Sequence, residues 1–260
     1  MTFCCGRNVT EMKRPGDVAE VYRKILRLKL NPVGVRLCKE PKELTEGETP
    51  SEKIAFCQMV RLASQGKRVV SCPKDRMGCF TAQMVFGFRA PDERDVEHHM
   101  KQFTDDRELA RSMVETKPKL REGEIEGLLV GPLGSLEPHV AALIVDSAQA
   151  LPLLEAYGAS TGKDLSFRNG TSSAVCSYGA VVSYQTQQPN LSIPCVGAKR
   201  YGLFQDHELL FTLPWEWAGR LSDALIGFVE TNRLHLPVMN GLLSPTKPIT
   251  YLFDRDSAKA

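Results

Sequence analysis

The sequence predicts an α+β fold, with a central mixed sheet of short strands and helices packed on it. Short runs of valine, isoleucine and leucine alternate with segments of helical periodicity, but without the regular strand–helix–strand order of a parallel α/β sheet. The hydrophobic fraction of 42% and the charged fraction of 25% are those of an ordinary globular protein. We therefore expect one α+β domain over residues 16–241, with a polar lead at residues 1–15 and a C-terminal tail at residues 242–260.

The first half of the chain is predicted to open with an amphipathic helix. Asp17 suits its N-cap, because a short carboxylate can accept a hydrogen bond from a free amide of the first turn. Apolar residues then recur at helical spacing, namely Val18, Val21, Tyr22, Ile25 and Leu28. A short strand is predicted at residues 33–37, a helix at 54–63, and a strand from 68 that leads into Cys72.

The second half of the chain begins with a charge-rich stretch, residues 91–126, that predicts two surface helices. Apolar runs at residues 127–132 and 140–145 predict two buried strands. Asp146 is expected to cap a helix that reaches Ala156, kinked or shortened by Pro152. The remaining elements are strands at 181–184, 191–193 and 208–213, and a helix that carries the apolar stripe at 221–229.

Charge and hydropathy exclude several classes of function. The net charge is +2, from 33 basic and 31 acidic residues, which provides no broad field for nucleic acid. No apolar run approaches the roughly 18–20 residues of a membrane-spanning helix, and residues 1–12 lack the apolar core of a signal peptide. We therefore expect a cytoplasmic protein without nucleic-acid or membrane partners, whose thiols stay reduced and form no disulfide.

The common catalytic and phosphate-binding motifs do not occur in the sequence. The two segments rich in glycine and hydroxyl residues, 158–162 and 170–173, are predicted to be loops or helix caps. The pair His98 and His99 lies in a charged stretch, which predicts a solvated helix face. His207 lies in a polar cluster where acid–base chemistry is conceivable, but a polar turn that enters a strand is the favoured interpretation.

Eight cysteines are the outstanding feature of the sequence, and none belongs to a C-x-x-C pair. They are Cys4, Cys5, Cys38, Cys57, Cys72, Cys79, Cys176 and Cys195. A single cytosolic cysteine is most often a small buried hydrophobe. Three of these have surroundings that favour a thiolate: Cys57 has Arg61 one helical turn later, Cys79 follows a glycine in a turn, and Cys195 precedes two basic residues.

Several short segments resemble the landmarks of the family called domain of unknown function 169, in order and spacing over roughly residues 20–240. The segments are Val33-Gly34-Val35, Cys57-Gln58 with Arg61-Leu62-Ala63, Cys79-Phe80 with Gly87-Phe88, Asp146 with Ala148-Gln149, Pro194-Cys195 with Gly197, Lys199 and Arg200, and Gln205-Asp206 with Glu208-Leu209 and Phe211-Thr212-Leu213-Pro214. One position departs from the pattern: Ala198 stands where relatives often carry an acidic residue. The resemblance implies a cysteine pattern but no reaction.

On that resemblance the matching cysteines are Cys57, Cys79, Cys176 and Cys195, which would form one four-cysteine site. Soft thiolates favour zinc or an iron–sulfur cluster over magnesium or calcium, and the dispersed spacing favours the cluster. Zinc, or no metal, stays open. The expected function is therefore a redox or cofactor-maturation protein with a small-molecule or redox partner. The alternatives are a non-catalytic protein that binds a small ligand or partner and has core cysteines, and a thiol enzyme that uses Cys195. A homo-oligomer is compatible with each of these functions.

Overall fold

The computed structural model describes residues 13–66 and 68–234, which contain six strands and nine α-helices. The strands are β1 Val33–Cys38, β2 Val70–Pro73, β3 Gly127–Pro132, β4 Val140–Val145, β5 Asn190–Ser192 and β6 Leu209–Pro214. The α-helices are α1 Pro15–Ile25, α2 Phe56–Ser64, α3 Phe80–Val85, α4 Glu93–Phe103, α5 Arg107–Glu115, α6 Ser147–Thr161, α7 Val182–Thr186, α8 Val196–Gly202 and α9 Trp215–Glu230. Two short 3₁₀ helices, Pro41–Glu46 and Lys74–Arg76, and one π-helix, Ala174–Val181, complete the described elements.

The six strands form one sheet in the order β2-β3-β1-β4-β6-β5, which confirms the α+β class. All five strand pairings in it are antiparallel, so the expectation of a mixed sheet is wrong. The relative direction of two strands depends on the path of the chain between them, and hydrophobic periodicity does not encode that path. The order of the strands likewise follows from long connections, such as the one that carries α3, α4 and α5 between β2 and β3.

The central strands divide the core between the two faces of the sheet, because successive side chains of a strand point to opposite sides. In β4, Val140, Ala142 and Ile144 belong to one core, and Ala141 and Leu143 belong to the other. We call the first the cavity face and the second the packed face. A strand that is apolar on both sides must be covered on both sides, and in this protein helices cover both faces of the sheet.

Three long helices, α1, α6 and α9, cover the packed face. Tyr22 of α1 is fully buried and donates a hydrogen bond of 2.7 Å to the carbonyl oxygen of Ala218 in α9. The rings of Tyr157 in α6 and Trp217 in α9 lie 5.2 Å apart between centroids. Trp215 and Trp217 lie in the first turn of α9, and Trp217 is buried in the core of the packed face.

Shorter helical segments cover the cavity face, and here the sequence prediction was wrong in one place. Residues 181–184 are the junction of the π-helix and α7, where a strand is predicted. A short apolar run suits a strand or a buried helix equally well, and only its packing decides. All but one of the π-helix residues are buried, and Ser183 at the start of α7 hydrogen-bonds Thr212 of β6 at 2.7 Å between hydroxyl oxygens.

Two helix boundaries also differ from the predictions. Helix α1 begins at Pro15, so Asp17 lies in its first turn, and Arg14 occupies the N-cap. Asp146 caps α6 as predicted, but the helix continues through Pro152 to Thr161. The proline removes only one backbone hydrogen bond, and the residue is buried.

No helix among the described residues is long and apolar enough to cross a membrane. The expected polar lead falls almost entirely, and the C-terminal tail wholly, outside the described residues, as do Cys4 and Cys5. The single-domain organisation and the cytoplasmic location stay predictions.

Candidate metal and ligand site

A cavity of about 740 Å³ opens on the cavity face between α2, α3, the π-helix and α8. Its wall contains all four cysteines that the family resemblance singles out: Cys57, Cys79, Cys176 and Cys195. These residues come from segments up to 138 positions apart in the chain, from 57 to 195. The fold therefore brings together the predicted set of thiols. Their role as ligands stays a prediction.

Each of the four cysteines stands at the beginning of a helical segment. Cys79 and Cys195 are the N-cap residues of α3 and α8, Cys57 is the second residue of α2, and Cys176 is the third residue of the π-helix. The first amides of a helix lack intrahelical partners, and the helix dipole is positive there. The cavity is thus surrounded by helix ends that favour negative charge.

Close backbone packing places Cys57 and Cys195 in the same wall. A Cβ atom on Gly202, at the end of α8, would lie 2.8 Å from Cys57 Cβ and 2.9 Å from its carbonyl oxygen. Only glycine lets α8 approach α2 this closely. As a result Cys57 Sγ lies 3.9 Å from the carbonyl oxygen of Gly197, in the first turn after Cys195.

A loop contact places Cys79 beside Cys57. The amide of Gly78 donates to the carbonyl oxygen of Ile54 at 2.8 Å, and the amide of Ile54 donates to the carbonyl oxygen of Arg76 at 3.0 Å. A Cβ atom on Gly78 would lie 3.1 Å from the Cβ atom of Lys53, so this turn also depends on a small residue. The two bonds fix the segments that precede α2 and α3 against each other.

Burial dominates the ionisation of these thiols. Desolvation and, after it, the neighbouring Cys79 and Cys195 together raise the pKa of Cys57 to about 12. Desolvation also raises the pKa of Cys79. Hydrogen bonds from the backbone amides of Ala82 and Thr81 oppose this increase by lowering the pKa. The pKa of Cys176 is raised by burial and then by the other three cysteines. The thiols of Cys57, Cys79 and Cys176 thus stay protonated at neutral pH unless a cation displaces their protons.

The expectation that Arg61 activates Cys57 is wrong, because the guanidinium of Arg61 is used elsewhere. It donates to the carbonyl oxygens of Gly202 and Leu203, at 3.0 Å each, and forms a buried ion pair with Glu208. Arg61 therefore locks α2 to the end of α8 and acts as a structural residue. His207 is exposed in the turn before β6, as the polar-turn interpretation predicts.

The charged groups that line the cavity are all basic. They are Lys53 and Arg200, and no aspartate or glutamate lines the cavity among the described residues. Lys199 is not among them, since its ammonium pairs with Asp206 at 2.7 Å. The charge of the wall, like the helix ends, favours an anionic occupant.

The predicted solvated face is wrong for His99, whereas His98 is half-buried. His98 lines the cavity, and His99 is buried with its Nδ1 atom 2.7 Å from the carbonyl oxygen of Asp95. Its Nε2 atom has no hydrogen-bond partner within the described part of the chain. Burial lowers the pKa of His99, and the charge of Lys117 adds to this. The many charged residues in this stretch of sequence did not reveal that the side of α4 with His99 faces the interior of the protein.

Sequence reasoning also missed residues 171–173, which line the cavity, and Lys117, which does not line it itself but contacts the lining residue Ser172. Lys117 is 4% exposed, and its ammonium donates to Ser172 Oγ at 2.7 Å. Burial lowers the pKa of Lys117, whereas the nearby Cys176 and Cys195 thiols raise it. Residues 171–173 were predicted to be a loop or cap, and Ser173 is indeed the N-cap of the π-helix. Lys117 lies in a charged stretch between Glu115 and Lys119, so the sequence gave no sign that it is buried.

The other described cysteines lie outside this cavity. Cys38 is fully buried in β1, in a small cluster with Leu44, Leu129 and Leu136, and Cys72 is fully buried in β2. All six described cysteines are free thiols. Over residues 13–66 and 68–234, no three cysteine, histidine or acidic side chains are arranged so that they could hold a single metal ion.

Comparison with known proteins relates the whole site to one family. An uncharacterised protein of Methanocaldococcus jannaschii, MJ0308, is 25% identical over 223 residues, which are 82% of this chain and 95% of that protein. No solved structure matches the chain. The model of the DUF169 family, described as "Uncharacterised ArCR", matches residues 22–224, a span that includes all four cavity cysteines. The chain therefore belongs to the DUF169 family.

Proposed function

We propose that this protein holds an iron–sulfur cluster on Cys57, Cys79, Cys176 and Cys195 and has a redox or cofactor-maturation role. The observation that carries the proposal is that four thiols, each from the start of a different helical segment, line one cavity. Cysteine thiolates are the usual protein ligands of such clusters.

The donor set and the surroundings fit an anionic cluster. Thiolates are soft ligands, which excludes magnesium and calcium as natural occupants. A single zinc ion would need all four sulfurs about 2.3 Å from one point, whereas a cavity of about 740 Å³ has room for a larger group. The helix N-termini and the basic wall would offset the negative charge of thiolate ligands.

The chain's own residues would bind the cluster and exclude water from it. Bound there, a cluster would supply one-electron transfer. Because the free thiols of Cys57 and Cys176 have raised pKa values, loading must release protons, so the apparent affinity for iron should increase with pH. The partner would be a small molecule or a redox protein that reaches the open side of the cavity.

The test is anaerobic purification followed by measurement of iron, acid-labile sulfide and visible absorbance. Replacement of Cys195 by serine should lower the iron content sharply and lower the free energy of unfolding, because metal binding stabilises only the folded state. Cys38→Ser is the matched control, since Cys38 is also a free, buried thiol but lies outside the cavity. It should keep its iron and lose about 1–3 kcal/mol of stability.

Equal iron content in the wild type, Cys195→Ser and Cys38→Ser would refute the cluster. The second candidate function, a non-catalytic protein that binds a small ligand, would then take first place. It is favoured by the volume of the cavity and by the aromatic side chains in its wall, Phe56, Phe80, Phe103 and Tyr201. Colourless, iron-free protein with four titratable cavity thiols is the result expected for that alternative.

A further inference from the structure

Lys117 places a positive charge inside the protein without a matching carboxylate. The residue is 4% exposed, and its single hydrogen bond among the described residues goes to the neutral hydroxyl of Ser172, at 2.7 Å. No described carboxylate forms an ion pair with it, and the nearby Asp95 is paired with Arg89. A buried ammonium is costly unless an anion compensates it, so this arrangement points to an anionic group that the chain itself does not provide.

Ser173, which follows Ser172 in the chain, is a second unsatisfied group. It is 7% exposed and lines the cavity, and its hydroxyl oxygen has no hydrogen-bond partner among the described residues. Its backbone has φ +59°, a conformation that non-glycine residues rarely adopt. Ser173 is the N-cap of the π-helix, yet its side chain makes no capping bond. A donor that is neither solvated nor used by the fold is available for a ligand.

Other residues of the cavity wall supply further hydrogen-bond donors and an apolar surface. Thr171 and Ser172 line it beside Ser173, and the first amides of the eight-residue π-helix lack intrahelical acceptors. Val175 and Phe103 provide apolar wall within the same cavity. One cation, several hydroxyls and free amides suit a monoanion with two acceptor oxygens, attached to an apolar body.

We infer that Lys117, Ser172 and Ser173 bind the carboxylate of a small organic acid whose apolar part occupies the remainder of the cavity. The ammonium neutralises the carboxylate, and the two serine hydroxyls donate to its oxygens. The site consists only of side chains and amides of this chain, so it does not require a metal. If the cysteines hold a cluster, the organic acid lies in the same cavity and is a candidate substrate.

The test is a calorimetric titration of benzoate into the full-length protein, both as purified anaerobically and after treatment with a chelator. We expect saturable binding of one benzoate per chain, and none of benzamide, which has the same shape without the charge. Lys117→Met should weaken binding about tenfold or more, because a charge-assisted hydrogen bond is lost. Ser173→Ala should weaken it about threefold to tenfold. Lys199→Met is the control and should bind normally, because Lys199 is paired with Asp206 outside the cavity.

Circular dichroism establishes that each variant folds, and Ser173→Ala keeps the test decisive if Lys117→Met does not. The inference is overturned if the wild type binds no benzoate, if Lys117→Met or Ser173→Ala binds it as tightly as the wild type, or if inorganic phosphate binds in preference to benzoate. Iron is measured in the same samples. Benzoate binding by anaerobically purified protein that contains no iron would support the carboxylate site and refute the cluster. Loss of iron in Lys117→Met, together with no benzoate binding in the wild type, would overturn the inference and assign the lysine to the cluster.

Discussion

The packed face and the cavity face of the sheet are covered by helices of very different length. Helices α1, α6 and α9 on the packed face have 11, 15 and 16 residues. Around the cavity, α2, α3 and α8 have 9, 6 and 7 residues, and the π-helix has 8. Long helices bury continuous apolar stripes, whereas many short helices bring many helix N-termini to one place.

The two faces differ in what they contribute: the packed face contributes stability, and the cavity face contributes groups available for binding. The packed face is closed by interlocking aromatic and aliphatic side chains, such as Tyr22, Phe211 and Leu225, all of which are fully buried. The cavity face keeps free thiols, an unpaired lysine and an unbonded serine next to an open volume. Unsatisfied polar groups and voids reduce stability, so one face must contribute the stability that the other lacks.

The largest expected effect is on the packed face. Phe211→Ala should reduce the free energy of unfolding by about 3–5 kcal/mol, because it leaves a cavity in a fully buried site of β6. Phe103→Ala removes the same ring from the cavity wall, where the residue is 38% exposed, and should cost about 1 kcal/mol or less. Urea unfolding of both variants gives the two values. Similar losses would show that the two faces do not differ in this way.

The next effect tests how the cavity face is assembled. Gly202→Ala should cost about 1–3 kcal/mol and lower the iron content, because the added methyl group meets the backbone of Cys57 and pushes α8 away from α2. Gly197→Ala lies in the same helix, where an added Cβ meets nothing within 4 Å. It should leave both quantities nearly unchanged. If the two variants have equal stability and iron content, the close approach of α2 and α8 does not position the cysteines.

The smallest effect concerns pH. Burial lowers the pKa of His99 below its usual 6.5, so at mildly acidic pH the unfolded chain binds a proton that the folded chain excludes. Stability is therefore complete above the unfolded-state pKa and declines as the pH falls through it towards the folded-state pKa. Urea unfolding between pH 7.5 and pH 5.5 should show this decline, and His99→Leu should make it shallower. His139, whose pKa burial also lowers, accounts for part of the remaining slope. An unchanged slope in His99→Leu would contradict the assignment.

Most elements of the sheet could be predicted from local sequence, and the orientation of the strands could not. Strands β3 and β4 have the predicted bounds, because long apolar runs between turn residues leave few alternatives. Residues 181–184 had the same appearance yet are helical, because Ser183 and its neighbours pack on β6 with their backbone bonds satisfied locally. Antiparallel pairing throughout the sheet depends on the routes of the connections, which leave no local signal.

For the candidate site, the sequence by itself identified Cys57, Cys79, Cys176 and Cys195 as a set, through their resemblance to a family pattern. Only the tertiary structure decided that these thiols share a cavity, that Arg61 is bound to Glu208, and that Lys117 and Ser173 are buried beside them. Residue type and spacing are local properties that a chain carries in any conformation. Burial, ion pairing and the lack of a partner are relations between distant segments, and they exist only once the chain has folded.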